Sequence, residues 1–292
     1  MDRRIWSIIT KAIVRVNRRV PRTGRRPKYS DVLVVRMYFW SVWHDRPLCW
    51  ACERLHYNSL FRPRALPSVS QFCRRVRTAR VGAMIQAINE GLSRSEEPAT
   101  LMFMDGKALP VSESTRDPDA KSGRGNGRFS RGYKLHALGT ENGCIRAFSV
   151  RPLNEHEVPV AASELVEHVD SGTVVLADGN YDSDELYGRV YQRGAWLFTP
   201  LKGMARPGSY RYRRMSLARR WVMQLWQKKQ DLCWSAYRER AAIERIFSAL
   251  TGFAGGLGPL PNWVRTLPRV SRWVTAKLAI YHARLQCKRA AA

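Results

Sequence analysis

The chain has 292 residues, with 50 Lys and Arg against 24 Asp and Glu, a formal net charge of +26. An apolar fraction of 45% is enough for a packed core and excludes wholesale disorder. No apolar run reaches the roughly 18 residues of a membrane-spanning helix, and the basic N-terminus lacks the apolar stretch of a secretory signal. Cys49, Cys52, Cys73, Cys144, Cys233 and Cys287 are scattered rather than arrayed as a disulfide framework, so a reducing cytoplasm is the expected compartment. A surface this basic is neutralised by a polyanion, and dense phosphate charge makes DNA or RNA the expected partner. Anionic membrane ranks lower, because no long basic helix carries a clean Trp/Leu face.

In chain order, residues 1–20 predict a basic helix with Ile5, Ile8, Ile9, Ile13 and Val16 near helical spacing. Ser30 can cap a helix from Asp31, Pro47 can open another through Leu55, and Pro67-Ser68 precedes a third through Phe72, Val76 and Val81. Leu101–Met104 then reads as an apolar strand ending at Asp105. Residues 112–131 read as a polar, Gly/Arg-rich mobile stretch. Tyr133–Leu138 and Ile145–Val150 predict a hairpin about the Asn142-Gly143 turn. Glu155–Val169 reads as an amphipathic helix, Thr173–Ala177 as a buried strand ending at Asp178, Ser183–Arg193 as a helix, Trp196–Thr199 as a strand and Ala236–Leu250 as a helix. The order predicts an α/β fold, a mixed sheet flanked by helices and preceded by an all-helical region. Residues 1–98 form the expected helical, basic region and residues 99–292 the expected α/β domain.

Acids are scarce here, so an acid at the end of an apolar strand asks for a reason. Asp105 and Asp178 both sit at the emerging ends of predicted strands, the rim where open α/β sheets bind ligands. Each also precedes a glycine (Gly106, Gly179), so each alone reads equally as a strand-end turn. On the predicted helix 236–250, Tyr237, Arg240 and Glu244 follow one another at i, i+3 and i+7 and share a face, beside an apolar stripe of Ile243, Phe247 and Leu250. Glu244 is thereby able to meet both aspartates. Three converging carboxylates need a cation, and hard oxygen donors select Mg²⁺ or Mn²⁺. Two such ions about 4 Å apart clamp the attacking and leaving oxygens of a phosphodiester.

The segments Met104-Asp105-Gly106, Gly132-Tyr133-Lys134-Leu135-His136, Leu176-Ala177-Asp178-Gly179-Asn180-Tyr181-Asp182-Ser183 and Arg240-Ala241-Ala242-Ile243-Glu244-Arg245-Ile246-Phe247 resemble, in order and spacing, those of bacterial insertion-sequence DDE transposases. The groups numbered four and five among insertion sequences are the most similar. Tyr237, Arg240 and Glu244 match the first three positions of that family's Tyr-x2-Arg-x3-Glu-x6-Lys signature, and Thr251 stands at its lysine. The resemblance spans residues 100–286; the front half, with Pro67–Phe72, is similar more loosely. It implies an RNase H-like catalytic domain in which Asp105, Asp178 and Glu244 hold two Mg²⁺ ions. One ion activates water to cut a strand at the element's end; the resulting 3′-hydroxyl is then joined to target DNA. It further implies that Tyr237, Arg240 and Lys134 contact DNA, and that a homodimer brings the two double-stranded ends together. A nucleic-acid binder without chemistry and an RNase H-like nuclease or resolvase that cuts without joining are the rival readings.

Other residues read more plainly. Cys49 and Cys52, with His56 and Cys73, lie in a helical pattern without a second CxxC and read as core cysteines rather than a zinc site. His136 reads as a structural or near-site residue, His156 as a capping or surface residue, and Asp182 as an N-cap with Glu185 completing a capping box. Lys121–Arg131 lacks a phosphate-loop signature and reads as a flexible, DNA-facing loop. Trp221, Trp226 and Trp234, among Arg219, Arg220, Lys228 and Lys229, read as packing of an extra helix, with stacking on an extruded base as the alternative.

Overall fold

A computed structural model describes residues 2–22, 25, 27–94, 98–125, 127–203, 205–206 and 208–290. In chain order it contains α1 (Arg3–Arg19), α2 (Asp31–Trp43), α3 (Val69–Val76), α4 (Ala79–Ser93), β1 (Leu101–Pro110), β2 (Lys121–Gly125), β3 (Arg128–Thr140), β4 (Ile145–Pro152), α5 (Glu157–Val160) and β5 (Val174–Ala177). There follow α6 (Asp184–Gln192), β6 (Trp196–Phe198), α7 (Tyr210–Arg214), α8 (Leu217–Lys228), α9 (Gln230–Arg238), α10 (Ala241–Thr251) and α11 (Leu267–Arg289). No helix among the described residues is long and apolar enough to cross a membrane.

The chain divides into two units, residues 1–94 with 249–292, and residues 95–248. The boundary lies close to the division expected after residue 98, and residues 249–292 group with the first unit rather than the second. The cause is α11, buried from Val270 through Ala283 on nearly every side. Apolar side chains surround its middle, with Lys277 and His282 buried among them, and α1, α2 and α4 pack against it. Inside that packing the His282 imidazole meets Asn89 Oδ1 at 3.0 Å, and Gln286 donates to the carbonyl of Leu92.

The first unit begins much as its sequence patterning suggests. Helix α1 buries Ile5, Trp6, Ile9, Ala12, Ile13 and Val16, Ser30 caps α2, and Ser68 with Gln71 forms a capping box on α3. The helix expected from Pro47 to Leu55 does not form. Two short 3₁₀ turns, Trp50–Cys52 and Arg54–His56, take its place. Two carbonyls in this stretch are taken by side chains instead: Tyr57 Oη donates to Ala51 and Trp40 Nε1 to His56. Nor are the cysteines core residues: Cys49 is exposed and Cys52 and Cys73 are half-buried. Asp31, at the first turn of α2, is 4% exposed and takes guanidinium contacts from Arg22 at 2.5 Å, from Arg80 at 2.8 Å and from Arg75. Arg80 also donates to the carbonyls of Asn17, Val20 and Pro21, so one acid ties α1, α2, α3 and α4 together.

The second unit is a six-stranded mixed sheet in the order β2-β3-β1-β5-β6, with β4 paired to the later half of β3. Helices flank it. Residues 132–140 of β3 are buried without alternation, so both faces of that strand are covered. The stretch expected to be mobile supplies a strand: Lys121–Gly125 pairs with Arg128–Gly132. Three groups pin it. Tyr133 Oη donates to buried Asp117 at 2.8 Å, and Arg131 donates to the carbonyls of Thr115, Asp117 and Ala120. The helix expected over Glu155–Val169 is one α turn followed by a π turn, Ala161–Leu165, and a 3₁₀ turn, Val166–His168. Asp182 is not a cap. Its carboxylate takes the Arg219 guanidinium in two bonds of 3.0 and 2.9 Å and the Lys202 amide, because a nearly buried arginine requires a counter-charge. Trp226 packs as expected, stacked on Phe198 with Nε1 bonded to the Thr199 carbonyl; Trp221 is exposed.

Two outcomes follow for the first unit. Asp31→Ala leaves three guanidiniums without their acid and should lower unfolding stability by about 3 kcal/mol in urea titration. An effect below about 1 kcal/mol would show that the cluster is fully solvated. His282 is buried and its imidazole is pushed down to about 3, first by burial and then by Arg289. The neutral ring is the stable form, so its contribution is complete above about pH 6.5 and is lost as pH falls toward 3, at about 1.4 kcal/mol per pH unit. The urea midpoint should drop between pH 7 and pH 5, and it should drop less in His282→Gln.

Candidate active site

The site begins with strand register. β1 and β5 run parallel and pair from Leu101↔Val174 to Met104↔Ala177. The next residues on the two strands are Asp105 and Asp178, so each acid directly follows the last paired residue of neighbouring parallel strands. β1 does not end at Asp105 as its Asp-Gly pair suggested. It continues to Pro110, because β3 covers its other edge as far as Gly132 and satisfies the backbone there, with Asp105 opposite Ala137. β5 does end, and Asp178 caps a short 3₁₀ turn by accepting from the Asn180 amide at 2.8 Å and from Asn180 Nδ2 at 3.2 Å.

The third acid arrives on α10, which meets the sheet through buried Ile243 and Ile246 at Gly139 and through Phe247, whose ring lies 5.6 Å from Lys107 Nζ. Gly139 on β3 permits this approach: a Cβ there would lie 2.9 Å from the Cδ1 atoms of both Ile243 and Ile246. The expected continuous helix is broken at Glu239–Arg240. Bonds from Arg240 N–H to the Tyr237 carbonyl, from Ala242 N–H to Glu239 and from Ile243 N–H to Arg240 tighten the backbone there to a 3₁₀-like turn. Tyr237 and Glu244 therefore belong to different helices. Arg240 lies in the bend and reaches Asp105 Oδ2 at 3.1 Å and Glu244 Oε1 at 3.4 Å.

A guanidinium thus stands between two of the three acids. Asp105 is 18% exposed and Arg240 17%, whereas Glu244 is 67% exposed. Burial pushes the Asp105 carboxyl up to about 6, with Asp178 and Glu244 raising it further; Arg240 and the Gly106 amide oppose the rise. Burial would lower Arg240, but Asp105, then Tyr237, Asp178 and Glu244 hold it above its ordinary value. Among the described residues no three His, Cys, Asp or Glu side chains stand close enough to share one metal ion. The donor chemistry still fits a hard divalent cation: Asp105 and Asp178 directly follow the paired ends of neighbouring strands, and Glu244 is joined to Asp105 through a positive group that a cation can replace.

Tyr237 is half-buried against Trp234, with ring centroids 5.8 Å apart. Burial raises its hydroxyl, and Arg240 opposes this. Lys134 sits differently from a free phosphate contact. It is 7% exposed, and its ammonium bonds Glu157 at 2.7 Å. Glu157 and Tyr181 were not singled out by their sequence positions, yet both adjoin the acids. A Cβ on Gly106 would meet Lys134 Cδ at 3.0 Å and Glu157 Oε1 at 3.5 Å, which places that pair against the residue after Asp105. The Tyr181 hydroxyl is buried without a hydrogen-bond partner, and Asp105, Glu157 and Asp178 push it well up after burial itself. Its position three residues after Asp178 was the available signal. His136 is fully buried and lowered to about 4 by burial, so it is neutral. His156 is exposed at the start of α5 and makes no side-chain cap.

A family model described as a transposase DDE domain matches residues 96–260. The transposase for insertion sequence element IS1106 of Neisseria meningitidis serogroup B is 32% identical over 81 residues, 28% of this chain and 28% of that protein. The match thus spans little more than a quarter of that relative's length. A cryo-EM structure of the piggyBac transposase synaptic complex with hairpin DNA superposes with a TM-score of 0.49 at 10% identity, covering 98% of this chain and 72% of the other. With the model matching more than half its length, the chain belongs to the transposase DDE domain family.

Proposed function

We propose that this protein is an insertion-sequence transposase of the groups numbered four and five. It cuts one DNA strand at each end of the element and joins the freed end to target DNA. In the first reaction water attacks the phosphodiester and leaves a 3′-hydroxyl. In the second that hydroxyl attacks a target phosphodiester, so that one P–O bond forms as another breaks. The observation that carries this reading is the register that ends β1–β5 pairing directly before Asp105 and Asp178, within the segment matched by the family model. The charge of +26 supports duplex DNA as substrate.

Asp105, Asp178 and Glu244 are the residues that would hold a divalent cation, Mg²⁺ or Mn²⁺. When bound, such an ion supplies Lewis acidity to phosphodiester chemistry. Arg240 keeps Asp105 and Glu244 paired until then, and released from them it is a ligand for a DNA phosphate. Tyr237, beside it, orients the scissile strand. Lys134 acts through Glu157, holding it against Gly106 rather than meeting DNA itself. Residues 1–98 bind the element's terminal repeats, and two copies of the chain hold the two ends, working on nucleoid DNA in the cytoplasm.

Asp105→Asn, Asp178→Asn and Glu244→Gln should each lower strand joining of element-end DNA in Mg²⁺ by about 10²-fold or more, with DNA affinity nearly unchanged. Strand joining that survives one of these changes removes that residue from the site. Cut strands without joined products from the unaltered protein would instead indicate a nuclease, and binding without either product a passive binder. Arg240→Ala removes the guanidinium that competes for the acids. It should raise Mn²⁺ affinity by about tenfold in isothermal titration and lower the salt slope of DNA binding by about one. An unchanged or weaker Mn²⁺ affinity would contradict the competition.

A further inference from the structure

A cavity of about 270 Å³ opens in the helical unit, lined by none of the three acids. Its walls include three aromatic side chains, Tyr38 on α2, Trp273 on α11 and Trp263 in the segment before α11. Trp263 is 43% exposed, so a flat apolar ring is offered at the mouth. Four arginines also line it: Arg46, Arg77, Arg269 and Arg272. No carboxylate lines the cavity among the described residues, and these guanidiniums make no ion pair there. The contrast with Asp31, which satisfies three arginines in the same unit, is direct. Arg272 Nε is buried with no hydrogen-bond partner.

Aromatic walls take a planar ring by stacking, and unpaired guanidiniums take phosphate. A ligand that combines the two is a nucleotide within a strand. The cavity is far too small for a duplex and of the size that encloses one ring system. We infer that this cavity is a binding site for a single unstacked base of a DNA strand, whose flanking phosphates the four arginines hold. This rests on the proposal that the protein acts on DNA and adds a second point of engagement, on the unit that does not carry the acids.

Cys49 lines the same cavity and is exposed, which supplies a probe. The full-length chain is treated with a maleimide, and alkylation of Cys49 is followed by mass spectrometry with Cys287 as internal reference. Two saturating ligands are compared, a single-stranded oligothymidine and an abasic oligomer of equal length and charge. The base-bearing strand should slow Cys49 alkylation about tenfold more than the abasic one and leave Cys287 equal in both. Val69→Trp places a bulky ring at an exposed position on the rim. It should abolish that difference while both oligomers still bind.

Equal Cys49 rates with both oligomers bound would overturn the site and leave the DNA reading standing. Cys49 protection that rises with protein concentration alone would assign the cavity to a second copy of the chain and overturn it too. Failure of both oligomers to bind would overturn this inference while duplex DNA still binds, and would take down the DNA reading as well if duplex DNA also fails to bind.

Discussion

Parallel pairing between β1 and β5 lasts only from Leu101↔Val174 to Met104↔Ala177, because β5 stops while β1 runs on to Pro110 beside β3. That mismatch in length creates the site. Where one neighbour ends, the edge of β1 is uncovered on one side only, and Asp105 emerges there while its backbone remains held on the other. Asp178 is the first residue of β5 free of the ladder. Asp105 is held by its pairing with β3, and Asp178 directly follows the last paired residue of β5, where it caps the next turn. The approach of α10 depends on the same sheet, since Gly139 on β3 leaves room for Ile243 and Ile246. From that docking follows the bend that delivers Arg240.

The excess of bases gives acids a structural role wherever they are buried. Asp31 gathers three arginines, Asp182 receives Arg219 in two bonds, and buried Lys277 pairs with Asp45 at 2.7 Å. Glu157 does the same for Lys134 beside the site. Each is a case in which a cation has been taken from water and must be matched. Asp105 departs from this pattern. One arginine is shared between it and Glu244, and its carboxyl is still held up at about 6 by burial. A buried acid that its neighbours only partly compensate marks a place for additional positive charge.

Much of this was legible from residue order, and the gaps have physical causes. Ser30, the apolar spacing of α1, the Asn142-Gly143 hairpin and the apolar runs before Asp105 and Asp178 are local signals, and the structure follows them. Asp105-Gly106 read as a turn because the dipeptide favours one, but a partner strand covers it, and tertiary pairing overrides local preference. Lys121–Gly125 read as loop for the same reason: its order comes from Asp117 and Arg131, whose roles depend on contacts distant in sequence. The bend at Glu239–Arg240 leaves no trace in a 3.6-residue spacing that suits an unbroken helix. Tyr181 and Glu157 were missed because their significance is positional, one buried among the acids and the other bound to Lys134.

Arg240 deserves weighing as chemistry rather than as a structural salt bridge. An arginine that only stabilised the fold would have its partners as buried as itself, as Arg219 has in Asp182, whose side chain is 1% exposed. Arg240 instead spans a buried acid and one that is 67% exposed, at 3.1 and 3.4 Å, the longer of which is a weak bond. Little stability is gained from the exposed half of such a bridge. The arrangement therefore costs little to dissolve. Asp105 and Glu244 can exchange a guanidinium for another cation without unfolding anything, and the arginine released lies beside Tyr237 at the open side of the bend. A guanidinium held this loosely between two acids is what the proposed handover from protein to phosphate requires.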